Sequence, residues 1–234
     1  MRYLTIAPRF CGPPGTANGG YACGMLAQHA ETTVRVRLEK PVPLGAALQV
    51  HALPGSVLEL RHDGQRIALA EPDTLDMPAP VAPSYLEAIE ASRRYIGFVG
   101  HAFPGCFVCG PDRPRGDGLR IFAGAVPGAA GLVASPWIPD VALGSGDRKV
   151  RAEFMWAALD CPGYFAARSD GVPMLLGAYT AHVDRRVHVD EPCVVVGWRI
   201  GGEGRKREVG TALYDADGNL CARARALWIE PRKD

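Results

Sequence analysis

The sequence predicts an α+β protein in which a single apolar helix is wrapped by an antiparallel sheet, with that plan run twice along the chain. Three observations carry the prediction. Apolar and polar residues alternate with period two over short segments such as 32–38 and 48–53. Asp-Gly pairs, which tolerate positive φ, separate such segments at Asp63-Gly64 and Asp217-Gly218 and mark hairpins. One apolar helical stretch precedes each series, the first after Asn18 and the second from near Val150. At 234 residues and 47% hydrophobic, the chain can pack one large unit or two small ones.

Residues 2–6 read as a first strand leading into the loop Gly15-Thr16-Ala17-Asn18-Gly19-Gly20. Asn18 is a good N-cap, because its side-chain oxygen can accept from free backbone N–H groups of the first turn. The helix continues through Tyr21-Ala22-Cys23-Gly24-Met25-Leu26-Ala27. Strands follow at 32–38, 48–53, 57–61 and 66–70, and this first unit closes near Glu71.

A connector marked by Pro72, Pro78, Pro80 and Pro83 comes next, and Ser84-Tyr85-Leu86-Glu87 is a capping box opening a helix to about Tyr95. Then comes Cys106-Phe107-Val108-Cys109-Gly110, a zinc-knuckle spacing in which glycine permits the tight turn behind two thiolates. One knuckle supplies half of a usual ligand set, and no second Cys-x-x-Cys occurs. His101 and Asp112 are the candidates to complete it; the alternative, favoured here, is a packed loop with reduced thiols, no metal and no cofactor. A thioredoxin-like redox pair would need a βαβ context that is missing.

The second unit is expected to have strands at 119–122 and 131–134, joined through Pro127-Gly128. A helix containing Phe154-Met155-Trp156-Ala157-Ala158-Leu159-Asp160 follows them. After Asp170-Gly171, strands are expected at 174–183, 193–198, 207–214 and 220–229. Residues 36–41 resemble 187–192, a repeat of pattern more than of identity. The domain reading is therefore 1–75, a connector at 76–118, and 119–234.

A net charge of +1 lacks the basic surplus on which nucleic-acid affinity depends. No segment has the length and hydropathy of a signal peptide or a membrane span, so no membrane partner is expected. Seven cysteines, an odd number among apolar neighbours, suit buried or metal-bound thiols in a reducing cytoplasm better than a disulfide framework.

The loop before the first helix suggests chemistry. Gly19 and Gly20 leave amides bare at the positive end of a helix dipole, which suits an anion or a carbonyl oxygen becoming one. The plainer alternative is a capped helix whose glycines allow close packing. Gly15-Thr16-Ala17-Asn18-Gly19-Gly20 resembles the active-site loop of hotdog-fold thioesterases of the phenylacetate-pathway type, where a histidine usually stands at the position of Asn18 and an aspartate follows on the helix. The resemblance implies a double hotdog, two central helices each wrapped by an antiparallel sheet. In this sequence the aspartate position falls on Ala27, whereas the second helix carries Asp160 but begins Arg151-Ala152-Glu153, with no glycine pair.

Family members built as dimers combine the glycine loop of one subunit with the aspartate of the other. By that resemblance, Asn18, Gly19, Gly20 and Asp160 would form one composite site, with the mirror-image site dead. Gly19 or Gly20 would bind the thioester oxyanion, Asp160 would act as base or nucleophile, and Asn18 would orient water or the carbonyl. Alternatively Asp160 or Cys161 caps a helical segment that begins before Pro162. Thr180 is a further candidate, because thioesterases of the acyl-CoA thioesterase II type pair a helix aspartate with a strand threonine. Tyr21 and Arg205-Lys206-Arg207 are candidates for binding an acyl-CoA substrate, though a basic hairpin tip is also an ordinary solvated loop. His182 and His188 show no partner pattern, and no Gly-x-Ser-x-Gly elbow occurs. The expected activity is hydrolysis of an acyl-CoA or related acyl thioester, in a chain that can form a homodimer. A non-catalytic acyl-CoA binder and a hotdog dehydratase or hydratase are the alternatives, the latter usually needing a histidine base that Asn18 replaces.

Overall fold

Alternation and turn chemistry assemble eleven strands into one antiparallel sheet in the computed structural model, which describes residues 2–168 and 173–232. The expected turn at Asp170-Gly171 lies outside the described residues. The first half holds β1 (Arg2–Leu4), β2 (Val34–Leu38), β3 (Leu48–Leu53), β4 (Val57–His62) and β5 (Gln65–Pro72). The second begins with β6 (Gly124–Ala125), β7 (Leu132–Trp137) and β8 (Leu175–Val183). It ends with β9 (Cys193–Glu203), β10 (Lys206–Tyr214) and β11 (Leu220–Ile229).

The sheet order is β1-β3-β4-β5-β2-β8-β11-β10-β9-β7-β6. Read inward from either edge, 1-3-4-5-2 and 7-9-10-11-8 are the same path, with β6 an added edge. The halves meet where β2 pairs with β8, placing Arg35 opposite Thr180, Val36 opposite Tyr179 and Arg37 opposite Ala178. Because side chains alternate along a strand, Val36 and Tyr179 enter the core while Arg35 and Thr180 take the other face. By this path β8 is the counterpart of β2. Residues 187–192, likened to 36–41 on sequence, lie after β8 and outside the named strands.

Helix α1 (Gly19–Ala27) begins at Asn18, whose side-chain oxygen accepts from the Tyr21 N–H as an N-cap. Helix α2 (Tyr85–Ser92) carries the full Ser84/Glu87 capping box and stops before Tyr95. The expected second helix is two, α3 (Ala152–Ala158) and α4 (Asp160–Ala167). Pro162 explains the break, since it has no N–H for the Ala158 carbonyl and its ring clashes with that position. None of the described helices is long and apolar enough to cross a membrane.

Helices α1 and α3 pack together inside the sheet. A Cβ on Gly24 would meet the Trp156 Cβ at 2.8 Å and the Glu153 Cα at 3.0 Å, so the glycine permits close backbone approach. The strand expected at 119–122 does not form; Leu119 and Ile121 donate instead to the Phe107 and Val108 carbonyls of the connector. Arg120 sits at φ +54°, outside extended geometry.

Candidate functional site

The first turn of α4 lies against the head of α1. Asp160 and Asn18 are each only 2% exposed. The Asn18 Nδ2 donates to Asp160 Oδ2 at 2.8 Å, and the Gly20 N–H donates to the same oxygen at 3.0 Å. Asn18 therefore works in both directions, its Oδ1 capping α1 through Tyr21 N at 2.9 Å. Asp160 Oδ1 is buried with no hydrogen-bond partner among the described residues. Leu159, the N-cap of α4, makes no side-chain cap bond, and the Asp160 carboxylate reaches α1 instead of capping its own helix.

Burial pushes the Asp160 carboxyl up to about 7; the Gly20 amide pulls against that rise, the Cys106 sulfur adds to it, and the Asn18 amide opposes it. A carboxyl so placed is held near the pH at which proton transfer is most effective.

Asn18, Cys106 and Asp160 line one wall of a cavity of about 440 Å³ between the halves. Asn18 and Gly19 come from the first half; Leu38 to Val42 continue from β2; Asp160, Cys161 and Tyr164 come from α4; Met174 to Gly177 open β8. The size is that of a small-molecule pocket. Gly19 lines it, whereas the Gly20 amide is engaged by Asp160, which narrows the expected pair of free amides to one.

The other sequence candidates separate. Thr180 points to the opposite face of the sheet, donating from Oγ1 to Asp73 Oδ2 at 2.8 Å, while its neighbour Tyr179 donates to the Trp156 carbonyl. Tyr21 does not line the cavity: its ring stacks on Phe10 at 4.3 Å, beside Phe154 and Phe107. Arg205 lines the mouth and donates to the Glu230 carbonyl. Arg207 is tied to the Glu230 carboxylate at 2.7 Å, and neither it nor Lys206 lines the cavity.

Sequence reasoning weighed Cys106 and Cys109 as half of a metal site but missed the third thiol that joins them in the same wall. Cys106 and Cys109 of the connector meet Cys161 of α4, with all three sulfurs within 4.8 Å of one another. Cys106 and Cys161 are 3.8 Å apart, and the Asn18 Nδ2 lies 4.0 Å from Cys106 Sγ. His101, also in the wall, has its Nδ1 accepting from the Phe103 N–H at 2.9 Å, which leaves the proton of the neutral ring on Nε2, 3.2 Å from Cys109 Sγ. Burial holds this imidazole below its ordinary pKa, so it is neutral, with neither nitrogen free to serve as a base. Asp112, the other suggested ligand, is exposed and apart from the sulfurs. Cys161 stands 55 residues beyond Cys106, and the sequence pointed to it only as a possible helix cap beside Asp160.

No family model matches the chain, and no curated protein matches it. Solved structures do. A tesB protein from Mycobacterium avium subsp. paratuberculosis superposes with a TM-score of 0.66 at 14% identity, over 98% of this chain and 92% of that one. A protein described as a thioesterase II, from Thermobifida fusca, gives 0.65 at 15% identity, over 98% and 93%. A protein of unknown function with a hotdog fold, from Alicyclobacillus acidocaldarius, gives 0.56 at 12% identity, over 99% and 93%. Likeness at such identities speaks for the fold, and the fold is an α+β hotdog.

Proposed function

We propose that this chain hydrolyses acyl thioesters, with an acyl-CoA as substrate, at one composite site between two hotdog units joined by the connector at 76–118. One observation carries the reading: Asp160 from the second half is held by Asn18 and Gly20 of the first half in the cavity wall, with Oδ1 unpaired among the described residues. A water placed at Oδ1 would lose its proton to the carboxylate as it attacks the thioester carbon, and the C–S bond would then break with that proton passing to the departing thiolate. Direct attack by Oδ1 breaks the C–S bond and expels the thiolate, which takes a proton from solvent, and the resulting anhydride is then opened by water. The Gly19 N–H, first in α1 and without an intrahelical acceptor, is the amide available to the developing oxyanion, at the positive end of the helix. One such donor is worth ~10²–10³ in rate. Arg205, which lines the cavity, would meet the substrate phosphates.

The test is release of free thiol from a panel of acyl-CoAs. Asp160→Asn keeps the volume and removes the base, so hydrolysis should fall by ~10²-fold or more. The Gly20–Asp160 bond also favours a second reading, in which Asp160 serves only to dock α4 on α1. That reading predicts Asp160→Asn with full turnover and a lower Tm. Binding of acyl-CoA by the wild-type protein without turnover would favour the non-catalytic alternative.

A further inference from the structure

We propose that Cys106, Cys109 and Cys161 form a metal site that takes one zinc-like divalent cation through three thiolates, with His101 orienting Cys109 from outside the ligand set.

The geometry leads there in four steps. First, three sulfurs from two distant segments converge within 4.8 Å. A tetrahedral centre with Zn–S bonds of about 2.3 Å has sulfurs about 3.8 Å apart. The Cys106–Cys161 pair already stands at 3.8 Å, so binding requires only that Cys109 close in. Second, the turn has the knuckle form. The Gly110 N–H closes it on the Cys106 carbonyl at 2.9 Å, behind the two thiols. A Cβ on Gly110 would lie 2.3 Å from the Pro104 carbonyl oxygen, so the turn requires glycine.

Third, the cluster is braced. Tyr95 donates its hydroxyl to the Cys109 carbonyl at 2.8 Å, and its ring packs on Phe165 of α4. Connector and helix are thus held in register where the sulfurs meet. Fourth, the histidine is set as a donor. Ligation through Nε2 would need that nitrogen bare while Nδ1 accepts from Phe103, which is an imidazolate. The Nε2 proton therefore goes to the Cys109 sulfur, the bond by which an outer-shell group fixes a ligand. Three thiolates and one dication leave a single negative charge, which the His101 and Asn18 N–H groups face. All three cysteines line the cavity, from which a fourth ligand would come. Soft sulfur donors select zinc over hard cations such as magnesium.

The site does not depend on thioester chemistry, and its test uses no substrate. The reduced, chelator-stripped full chain is titrated with Co²⁺ alone and then with Zn²⁺. Thiolate-to-cobalt charge-transfer absorption should saturate at one equivalent and be bleached by one equivalent of Zn²⁺. It should vanish in Cys161→Ala and Cys106→Ser and persist in Cys193→Ala. His101→Ala should weaken binding by about 10–100-fold while keeping the charge-transfer intensity per bound cobalt. Should the cysteine variants fail to fold, alkylation of the wild-type protein still decides. Bound Zn²⁺ should protect Cys106, Cys109 and Cys161 in the peptide map and leave the protection of the other four unchanged. No charge-transfer band, a band that survives Cys161→Ala, or zinc protection at other cysteines overturns the proposal.

Discussion

A Cβ built on Gly20 would lie 2.5 Å from the Asp160 Cβ and 2.9 Å from the Trp156 carbonyl oxygen, neither of which can yield without moving a helix. On Gly19 it would meet the Leu176 Cδ2 at 2.8 Å, the tip of a flexible side chain in the cavity wall. The two alanine substitutions should therefore differ. Gly20→Ala forces α1 and α4 apart and should cost about 1–3 kcal/mol. In a chain of this size that lowers Tm by about 2–4 °C per kcal/mol. Gly19→Ala should spare most of that stability and reduce hydrolysis by crowding the carbonyl position. Thermal melts paired with thiol-release rates separate the two. Gly20→Ala that melts like wild type and turns over normally would mean that the α1–α4 contact tolerates what the distances forbid. The meeting of Asn18 with Asp160 was legible only through the family resemblance, by which each half carries one part of a motif and lacks the other. The role of Gly20 was legible only as a bare amide. That the amide would be taken by the carboxylate depends on how closely two helices pack, which no local pattern encodes.

Elements defined by alternation or turn chemistry were readable where their signals act locally. Asp63 and Gly64 do adopt positive φ, 48° and 74°, and join β4 to β5 as the pair predicts. The segment at 119–122 has the composition of a strand, but its neighbours are the connector carbonyls, and composition does not report which partner wins. Helix α4 was legible only as the alternative in which a helical segment opens before Pro162, because proline reads equally as an end and as a beginning. At this scale the β2–β8 seam makes a prediction. Asp73, just past β5, accepts from Thr180 of β8 at 2.8 Å and pairs with Arg225 of β11 at 3.5 Å, clasping the halves on the outer face. Asp73→Ala leaves the Thr180 hydroxyl, on a 2% exposed residue, without its acceptor. The expected cost is about 1–3 kcal/mol, read as a shifted denaturant midpoint. Thiol release should stay near wild type, because the clasp faces away from the cavity; a large loss of activity with stability unchanged would return Thr180 to the site.

Across the whole molecule the strand path repeats but the chemistry does not, and that asymmetry fixes a stoichiometry. At the corner that mirrors the Asn18–Asp160 contact, the head of α3 carries Arg151 and Glu153 in place of a glycine pair. Glu153 accepts from Gln28 Nε2 at 3.0 Å and pairs with Arg151 at 3.5 Å. The residue in the aspartate position is Ala27, which has no group to transfer a proton. A ligand that needs a bare amide and an opposed carboxylate therefore finds one such corner per chain. Equilibrium binding of a non-hydrolysable thioether analogue of acyl-CoA should saturate at one equivalent per 25.0 kDa chain. Ala27→Asp should create neither a second equivalent nor added turnover, because the facing helix still begins with a bulky, ion-paired turn. Two equivalents in the wild type would mean that the mirrored corner binds without the glycine pair. The composite pairing of Gly19 with Asp160 would then no longer explain why the glycine pair stands in one half and the aspartate in the other.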